Sequence, residues 1–255
     1  MSFEYKKDDR VATFTFNRPE AMNAMNPGLL RDFKKAMEDF RDDDGLWVGI
    51  LTGAGEKAFC AGADVEETLS FLKENAHKMW AFPSPYRRMD MWKPLIAAIN
   101  GFCLGYGLEI ALTCDIRVAG EKARFGFPEV TLGIIPGDGG SQRLTRMIPY
   151  CKAAEMLLTG SLIDAQEAYR LGLVNVVVPP EEVMTKAKEY AGKICKAAPL
   201  AVRAAKEAMI RGREMSLEDG ERLEFALNSY LTQTEDHQEG KKAFLEKRKS
   251  VFKGK

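Results

Sequence analysis

The fold class is decided by residues 95–112, which read LIAAINGFCLGYGLEIAL. The apolar run Leu95–Ile99 is typical of a buried strand, and Asn100-Gly101 is a turn signal that ends it. Glycines then allow a tight turn, and a helix is predicted to begin near Tyr106. A strand that passes into a helix within a few residues indicates an α/β protein.

Strands and helices are predicted to alternate on both sides of this stretch. Val11–Phe16 alternates apolar and polar residues, as a half-buried strand does. Asn26 followed by Pro27 is typical of a helix start. The apolar side chains at helical spacing after it are Leu30, Phe33, Met37 and Phe40. Further strands are predicted at residues 48–52, 116–119 and 174–178, and further helices at residues 66–80, 106–114, 140–158 and 165–172.

The sequence changes character after Pro180. No strand signal appears there, and helices are predicted at residues 181–197, 200–213, 217–231 and 239–252. We therefore predict an α/β core over residues 1–195 and an all-helical C-terminal region over residues 196–255. A region of that size is too small to form a good core by itself, so we expect it to pack on the core or on another subunit.

Composition excludes several classes of partner. The chain has 255 residues with 37 Lys+Arg and 37 Asp+Glu, so its formal net charge is zero and nothing electrostatic favours nucleic acid or an anionic membrane. No apolar run reaches the ~18 residues of a membrane-spanning helix, and the N-terminus has no apolar targeting segment. Five cysteines without a CxxC pair indicate reduced thiols. These features predict a soluble, cytoplasmic protein.

Histidine is scarce in this chain. Only His77 and His237 are present, and neither belongs to a metal-binding motif such as HExxH, so we expect no metal site. The GxSxG elbow of serine hydrolases and the P-loop of nucleotide-binding proteins are both absent. If the chain is an enzyme, carboxylates and backbone dipoles must carry its chemistry.

Two glutamates are candidates for that chemistry. Glu109 falls in the first turns of the helix predicted near Tyr106, where it either acts on a ligand or only complements the helix dipole. Glu129 follows Pro128 among apolar neighbours, which would raise its pKa and let it act as an acid or base near neutrality. A solvated surface glutamate is the alternative at this position.

Two further segments are rich in small residues. Residues 57–65 lie between a strand and a helix, where small residues let the backbone approach a ligand closely. The alternative is a tightly packed turn in which Asp64 caps the helix. Residues 133–144 form a Gly-rich loop that enters a helix, and such a loop either binds an anion or is simply a crowded turn.

Taken together, these segments resemble the crotonase, or enoyl-CoA hydratase/isomerase, superfamily over residues 14–252. The matching segments are residues 16–24, 58–64, 96–101, 114–117, 125–129, 136–144 and 244–248. The resemblance implies an α/β fold, a spiral of ββα units, with an all-helical C-terminal oligomerisation region. It also implies trimers, which are often paired into hexamers.

The resemblance implies a substrate and a site as well. The substrate would be an acyl-CoA thioester, and no cofactor is expected because coenzyme A is part of the substrate. The backbone N–H groups of Ala63 and Tyr106 would form an oxyanion hole for the thioester oxygen. Glu109 would activate a water for attack at C3 of a 2-enoyl-CoA, and Glu129 would supply the proton at C2. Reversible hydration to a 3-hydroxyacyl-CoA is then the expected activity. Further substrate-binding positions would be Ala61, Gly62, Asp64, Val65, Glu66, Phe244 and Lys247.

Three positions depart from the family pattern. Tyr106 stands where many hydratases have glycine, so the N–H is kept but a phenol ring enters the acyl region. Glu66 stands where many members have a basic residue, which puts one coenzyme A phosphate contact in doubt. Asp138 replaces a small residue and would place a third carboxylate nearby. An enoyl-CoA or dienoyl-CoA isomerase, or another acyl-CoA lyase of the superfamily, therefore stays open as the alternative.

Some relatives in this superfamily also bind RNA through a lysine-rich helix. The matching residues 31–41 mix both charges and are followed by three aspartates. We expect a solvated helix face there and no nucleic-acid partner.

Overall fold

The computed structural model describes residues 2–74 and 90–255, and its strands form two sheets. The strands are β1 Phe3–Asp8, β2 Val11–Phe16, β3 Val48–Gly53, β4 Ala58–Cys60, β5 Leu95–Ile99, β6 Phe102–Leu104, β7 Ile116–Gly120, β8 Arg124–Gly126, β9 Leu162–Asp164 and β10 Val176–Val178. The larger sheet has the order β1-β2-β3-β5-β7-β10, and the smaller one has the order β4-β6-β8-β9. Pairing is parallel throughout except for β1 with β2 and β8 with β9.

Helices surround these sheets and make up the C-terminal region. They are α1 Pro27–Asp42, α2 Glu67–Glu74, α3 Tyr106–Ala111, α4 Gly140–Met147, α5 Tyr150–Thr159, α6 Ala165–Arg170, α7 Val183–Ile194, α8 Pro199–Gly212, α9 Leu217–Leu231 and α10 Glu235–Leu245. Short 3-10 helices lie at Pro19–Ala21, Pro128–Leu132 and Pro180–Glu182. The predicted α/β body and the predicted all-helical end of the chain are both confirmed.

The two sheets are built together from repeated units. β3 is followed by β4 and α2, β5 by β6 and α3, and β7 by β8 and the 3-10 helix Pro128–Leu132. The first strand of each pair joins the larger sheet and the second joins the smaller one. Because β4, β6 and β8 are parallel neighbours, their carboxyl ends meet at one edge of the smaller sheet. The segments predicted to carry the chemistry follow these three ends.

The larger sheet is covered on both faces. β3 and β5 contain no exposed residue, which is why they read as continuous apolar runs. The helix α1 begins where Asn26 accepts a hydrogen bond from the N–H of Leu29 at 2.9 Å, as the cap signal predicts. Its buried face contains the four predicted side chains, Leu30, Phe33, Met37 and Phe40. Helix α7 covers the other face with Val183, Ala187 and Ala191.

Two helix predictions are wrong in their extent. The single helix predicted at residues 140–158 is two helices, α4 and α5, because Pro149 lacks the N–H that a continuous helix would need. The helix predicted at residues 239–252 begins earlier, at α10, because the side chain of Thr234 caps it by accepting from the N–H of His237 at 3.1 Å. It ends at Leu245.

Other predictions were incomplete. The sequence patterns missed β1 and the short strands β4, β6, β8 and β9, most of which have three residues and are too short to show a period. The helix predicted at residues 66–80 is α2, and residues 75–80, with His77, lie outside the described residues.

The C-terminal region is joined to the core through buried polar contacts. Nζ of Lys206 on α8 lies 2.7 Å from a carboxylate oxygen of Asp115 and donates to the carbonyl oxygen of Lys93 at 3.0 Å. A division of the chain near residue 195 stays a prediction. Large apolar side chains of α8, α9 and α10 are exposed in the single chain, among them Met209, Ile210, Leu217, Phe225, Tyr230, Phe244 and Leu245.

Among residues 2–74 and 90–255, no helix combines the length and the apolar character needed to cross a membrane.

Candidate active site

Glu109 lies on α3, one turn from the edge where β6 ends, and its side chain is 2% exposed. Its Oε1 accepts hydrogen bonds from the N–H groups of Asp138 at 2.6 Å and of Gly140 at 2.8 Å. Burial raises the pKa of Glu109 to about 7, and the nearby charges of Asp138 and Glu129 add to this rise, while the two N–H donors oppose it. The group therefore titrates near neutrality, as a general acid or base requires.

The anionic group that the Gly-rich loop binds is therefore part of the chain itself, namely the carboxylate of Glu109. The sequence left open whether residues 133–144 bind an anion or form a crowded turn. The loop N–H groups donate to the side chain of Glu109, and the loop is crowded as well, because a Cβ atom at Gly140 would lie 2.7 Å from the ring of Phe127. The loop therefore orients Glu109, and both interpretations of it hold.

Glu129 reaches the same place from the 3-10 helix Pro128–Leu132. Burial raises its pKa above the ordinary value for a glutamate. Its Oε2 is buried and accepts no hydrogen bond from any residue in the described part of the chain. The alternative of a solvated surface glutamate is therefore wrong.

Two backbone N–H groups lie beside these carboxyl groups. Ala63 forms an isolated bridge with Met25 that uses the carbonyl of Gly62 and the N–H of Asp64, so the N–H of Ala63 faces away from that bridge. Tyr106 is the first residue of α3, where an N–H has no acceptor within its own helix. A Cβ atom at Gly62 would lie 3.9 Å from the N of Tyr106, so the two donors are neighbours.

Gly105 connects the donors to Glu129. A Cβ atom at this position would lie 2.9 Å from Oε1 of Glu129 and 3.7 Å from Cα of Gly62. The structure thus brings both candidate glutamates and both candidate oxyanion donors to one edge, although their catalytic roles stay predictions.

Asp64 has the structural contacts that the sequence raised as an alternative. Its side chain accepts from the N–H of Glu67 at 3.2 Å, at the start of α2, and pairs with Nη1 of Arg18 at 3.0 Å. Sequence reasoning did not single out Arg18. Val65 and Glu66 are exposed beside it, and Ala61 and Gly62 lie between β4 and the bridge.

The remaining predicted binding residues lie at the end of α10. Phe244 is 83% exposed at the end of α10, and Lys247 follows it with a positive φ of 53°. Among the described residues, no hydrogen bond or ion pair joins either side chain to the core. Their role in binding coenzyme A stays a prediction.

Comparison with known proteins places this geometry in a family. A family model described as enoyl-CoA hydratase/isomerase matches residues 6–255. The chain is 45% identical over 255 residues to the (E)-benzylidenesuccinyl-CoA hydratase of Thauera aromatica, with 100% of both chains covered. The chain belongs to the enoyl-CoA hydratase/isomerase family.

Other members of the enoyl-CoA hydratase/isomerase family are similar to this chain over nearly their whole length. The short-chain-enoyl-CoA hydratase of Clostridium acetobutylicum is 44% identical over 246 residues, which are 96% of this chain and 94% of that protein. The crystal structure of an enoyl-CoA hydratase from Bacillus anthracis has a TM-score of 0.93 at 38% identity and covers 100% of both chains. The predicted crotonase fold and the prediction of a hydratase-type enzyme are confirmed. An acyl-CoA thioester is the class of substrate.

Proposed function

We propose that this chain catalyses the reversible addition of water to the C2=C3 double bond of a 2-enoyl-CoA thioester, giving a 3-hydroxyacyl-CoA. The observation that carries the proposal is the pair of carboxyl groups at one edge of the smaller sheet, the buried Glu109 and the half-buried Glu129, each with a raised pKa. The names of similar proteins, such as the crotonyl-CoA hydratase of Syntrophomonas wolfei at 42% identity, support the same reaction.

The thioester oxygen would be bound by the N–H groups of Ala63 and Tyr106. Attack at C3 pushes electrons onto that oxygen, and fixed donors stabilise the resulting enolate without reorganisation. Loss of one such donor typically costs ~10²–10³ in rate. The donors must therefore be aimed before the substrate arrives, and backbone groups at the end of β4 and the start of α3 meet that need.

The two glutamates would share one water. Glu109, in its ionised form, accepts a proton from the water as the oxygen attacks C3. Glu129, in its protonated form, delivers a proton to C2. Acid–base help of this type is worth about 10²–10⁴-fold. Burial raises the pKa of both groups, which brings each carboxyl group closer to neutrality than an ordinary glutamate, as proton exchange during turnover requires.

Double-bond isomerisation of an enoyl-CoA is the second candidate reaction. Asp138 favours it, because its side chain is 5% exposed and its charge acts on Glu109, so a third carboxyl group lies at the site. An isomerase would move a proton between two carbons and would add no water. The same oxyanion donors would serve either reaction.

We also propose that the chain works in the cytoplasm as a homotrimer or a homohexamer. The exposed apolar side chains of α8, α9 and α10 support the assembly, since so much apolar surface is unusual for helices of a monomer. No metal ion, cofactor, nucleic acid or membrane takes part in the proposed reaction.

One assay tests the proposal. The purified chain is incubated with crotonyl-CoA, and the loss of the conjugated thioester absorbance is followed, with the Glu109→Gln/Glu129→Gln double variant as the control. Hydration predicts a loss that depends on the glutamates and a 3-hydroxyacyl-CoA product that takes up ¹⁸O from labelled water. A gain of conjugated absorbance from a 3-enoyl-CoA, without hydration of crotonyl-CoA, would instead establish the isomerase.

A further inference from the structure

The loop that holds Glu109 is itself held from its other side by one residue. The N–H groups of Asp138 and Gly140 donate to Oε1 of Glu109. Nη1 of Arg143 donates to the carbonyl oxygen of Asp138 at 2.8 Å, and the backbone N–H of Arg143 donates to the carbonyl oxygen of Gly139 at 2.8 Å. We infer that Arg143 is a positioning residue for the hydration reaction, since it fixes the loop that orients Glu109; this inference rests on the proposed function.

One peptide group, between Gly139 and Gly140, takes part both in the hydrogen bonds to Glu109 and in those from Arg143. The carbonyl of Gly139 and the N–H of Gly140 belong to one planar trans peptide, so they point in opposite directions. The backbone N–H of Arg143 binds the carbonyl end, as the N–H of any residue at this position of α4 would, and Glu109 receives the N–H end. The side chain of Arg143 adds its own hydrogen bond at the neighbouring carbonyl, that of Asp138, whose N–H also donates to Glu109. Any rotation of the peptide between Gly139 and Gly140 therefore breaks both of its bonds together. Fixing the carbonyl fixes the donor that faces Glu109.

The guanidinium group of Arg143 occupies space that only glycine leaves open. A Cβ atom at Gly139 would lie 2.0 Å from Nη1 of Arg143, and Gly139 has a φ of +103°, which L-residues rarely adopt. The missing side chain lets the guanidinium lie on the loop and reach the carbonyl of Asp138. The loop conformation and the arginine are therefore matched to each other.

Arg146 provides an internal comparison on the same helix. Its guanidinium donates to the carbonyl oxygen of Gln142 at 2.8 Å, and it also approaches Glu214. Neither contact involves the loop at residues 138–140. Both arginines line one cavity of about 720 Å³ between α4 and α8. Loss of a cation from this cavity is therefore common to changes at either residue, whereas loss of the loop contact is specific to Arg143.

Loss of the Arg143 side chain should act on Glu109 in two ways. The loop N–H groups that lower the pKa of Glu109 would be less well aimed, while its burial and the charges of Asp138 and Glu129 would remain. The carboxylate would also lose its fixed orientation toward the water. A small misplacement of a catalytic group costs up to about 10²-fold in rate. We expect KM to change little, because a misaimed carboxylate weakens the interactions of the transition state and not those of the ground state.

The cavity makes a chemical rescue possible. Since Arg143 lines it, truncation of the side chain leaves a guanidinium-sized space that is open to the cavity. Free guanidinium ion can then enter and donate to the carbonyl of Asp138 in place of the missing side chain. A variant that had lost activity only through unfolding would not regain it, because guanidinium favours the unfolded state.

The experiment compares Arg143→Ala, Arg143→Lys and Arg146→Ala with the unaltered chain on crotonyl-CoA. For Arg143→Ala we expect kcat to fall by roughly 10- to 100-fold with KM within about threefold of the original, and the acidic limb of the kcat profile to move to higher pH. Millimolar guanidinium should restore part of the lost kcat. Arg143→Lys should retain more activity than the alanine variant, and Arg146→Ala should match the unaltered chain.

The outcomes separate this inference from the proposed function. An unaltered chain that hydrates no enoyl-CoA overturns both. An active unaltered chain with Arg143→Ala equal to Arg146→Ala in kcat and pH profile overturns the inference alone. If Arg143→Ala fails to fold, Arg143→Lys decides: a lowered kcat with an unmoved acidic limb and unchanged thermal stability contradicts the inference. A lowered kcat with a limb moved to higher pH supports it.

Discussion

Gly105 lies against the carboxyl group of Glu129, so closely that a Cβ atom on the glycine would be 2.9 Å from Oε1. The same glycine precedes Tyr106, whose N–H is a candidate oxyanion donor, and its φ of +50° combined with ψ of −124° is unfavourable for any side chain. One backbone position therefore fixes the distance between the proposed acid and the proposed donor.

Gly105→Ala should reduce kcat by about 10² or more, because the added methyl group displaces Glu129 and the turn that aims the N–H of Tyr106. Gly192→Ala on α7 is the matched control, since, apart from its chain neighbours and the backbone of its own helix, no atom of the described residues lies within 4 Å of its Cβ position. Crotonyl-CoA hydration and thermal unfolding would be measured for both variants. Normal turnover by Gly105→Ala would show that the close approach of Gly105 to Glu129 is not needed for catalysis.

Glu109→Gln and Glu129→Gln should each lower kcat by two or more decades with little change in KM, because both groups act on the transition state. The double variant should be clearly less impaired than the product of the two effects, since one water depends on both. Steady-state kinetics checks this. Near-normal kcat in either single variant would contradict the two-glutamate assignment.

Activity should fall as the pH drops through about 7, because the pKa of Glu109 is raised to that range and the proposed base must be ionised. In Glu109→Gln the residual activity should lose this acidic limb. A profile of kcat/KM from pH 5 to pH 9, recorded for both proteins, measures the difference. An unchanged limb in the variant would assign it to another group.

The same pKa predicts an effect on stability. A carboxyl group with a raised folded-state pKa contributes stability that is present below its unfolded-state pKa and is lost as the pH rises through about 7. Glu109→Gln should therefore be more stable than the unaltered chain at pH 8, by on the order of 3 kcal/mol, with the gap closing toward pH 5. Urea unfolding at both pH values tests this, with the exposed Glu121→Gln as the control.

Tyr106 should shape the acyl pocket through its ring, which is 6% exposed. Tyr106→Gly keeps the backbone N–H and should shift kcat/KM between short, long and ring-containing enoyl-CoA substrates, because even one methylene is worth ~1–3 kcal/mol in an apolar pocket. Tyr106→Phe should remain active, because the donor that the oxyanion needs is the backbone N–H and not the phenol. Loss of turnover on every substrate in Tyr106→Phe would make the phenol catalytic.

Assembly should depend on the exposed apolar side chains of the C-terminal helices. Phe225→Asp on α9 should lower the mass measured by light scattering, because a charge would have to be buried in the interface. Leu158→Asp, at an equally exposed apolar position on α5, is the control for a general effect of the charge. A monomeric unaltered chain with full activity would exclude a functional oligomer.

The sequence alone determined the elements whose burial follows a period. The alternation in β2 and the helical spacing on α1 each report one buried face, and the apolar run of β5 reports a strand that is buried on both faces. The structure has all three elements with the predicted side chains inside. The resemblance to the superfamily added the family and the segments that form the site, and it too rests on the sequence alone. Periodicity could not find the short strands of the smaller sheet, nor the break at Pro149, because the helical pattern continues across it.

Only the tertiary structure decided what each site residue contacts. Glu109 receives its N–H donors from residues 29 and 31 positions further along the chain, and Gly105 meets Glu129 through the parallel pairing of β6 with β8. A pattern of hydrophobicity records whether a residue is buried but carries no information about which distant backbone group lies beside it. The distance between a side chain and a backbone group far along the chain depends on the geometry of all the elements between them. The burial that raises the pKa of Glu109 depends on it as well. The chemistry of this chain therefore arises where three strand ends meet, at an edge that no single segment of its sequence describes.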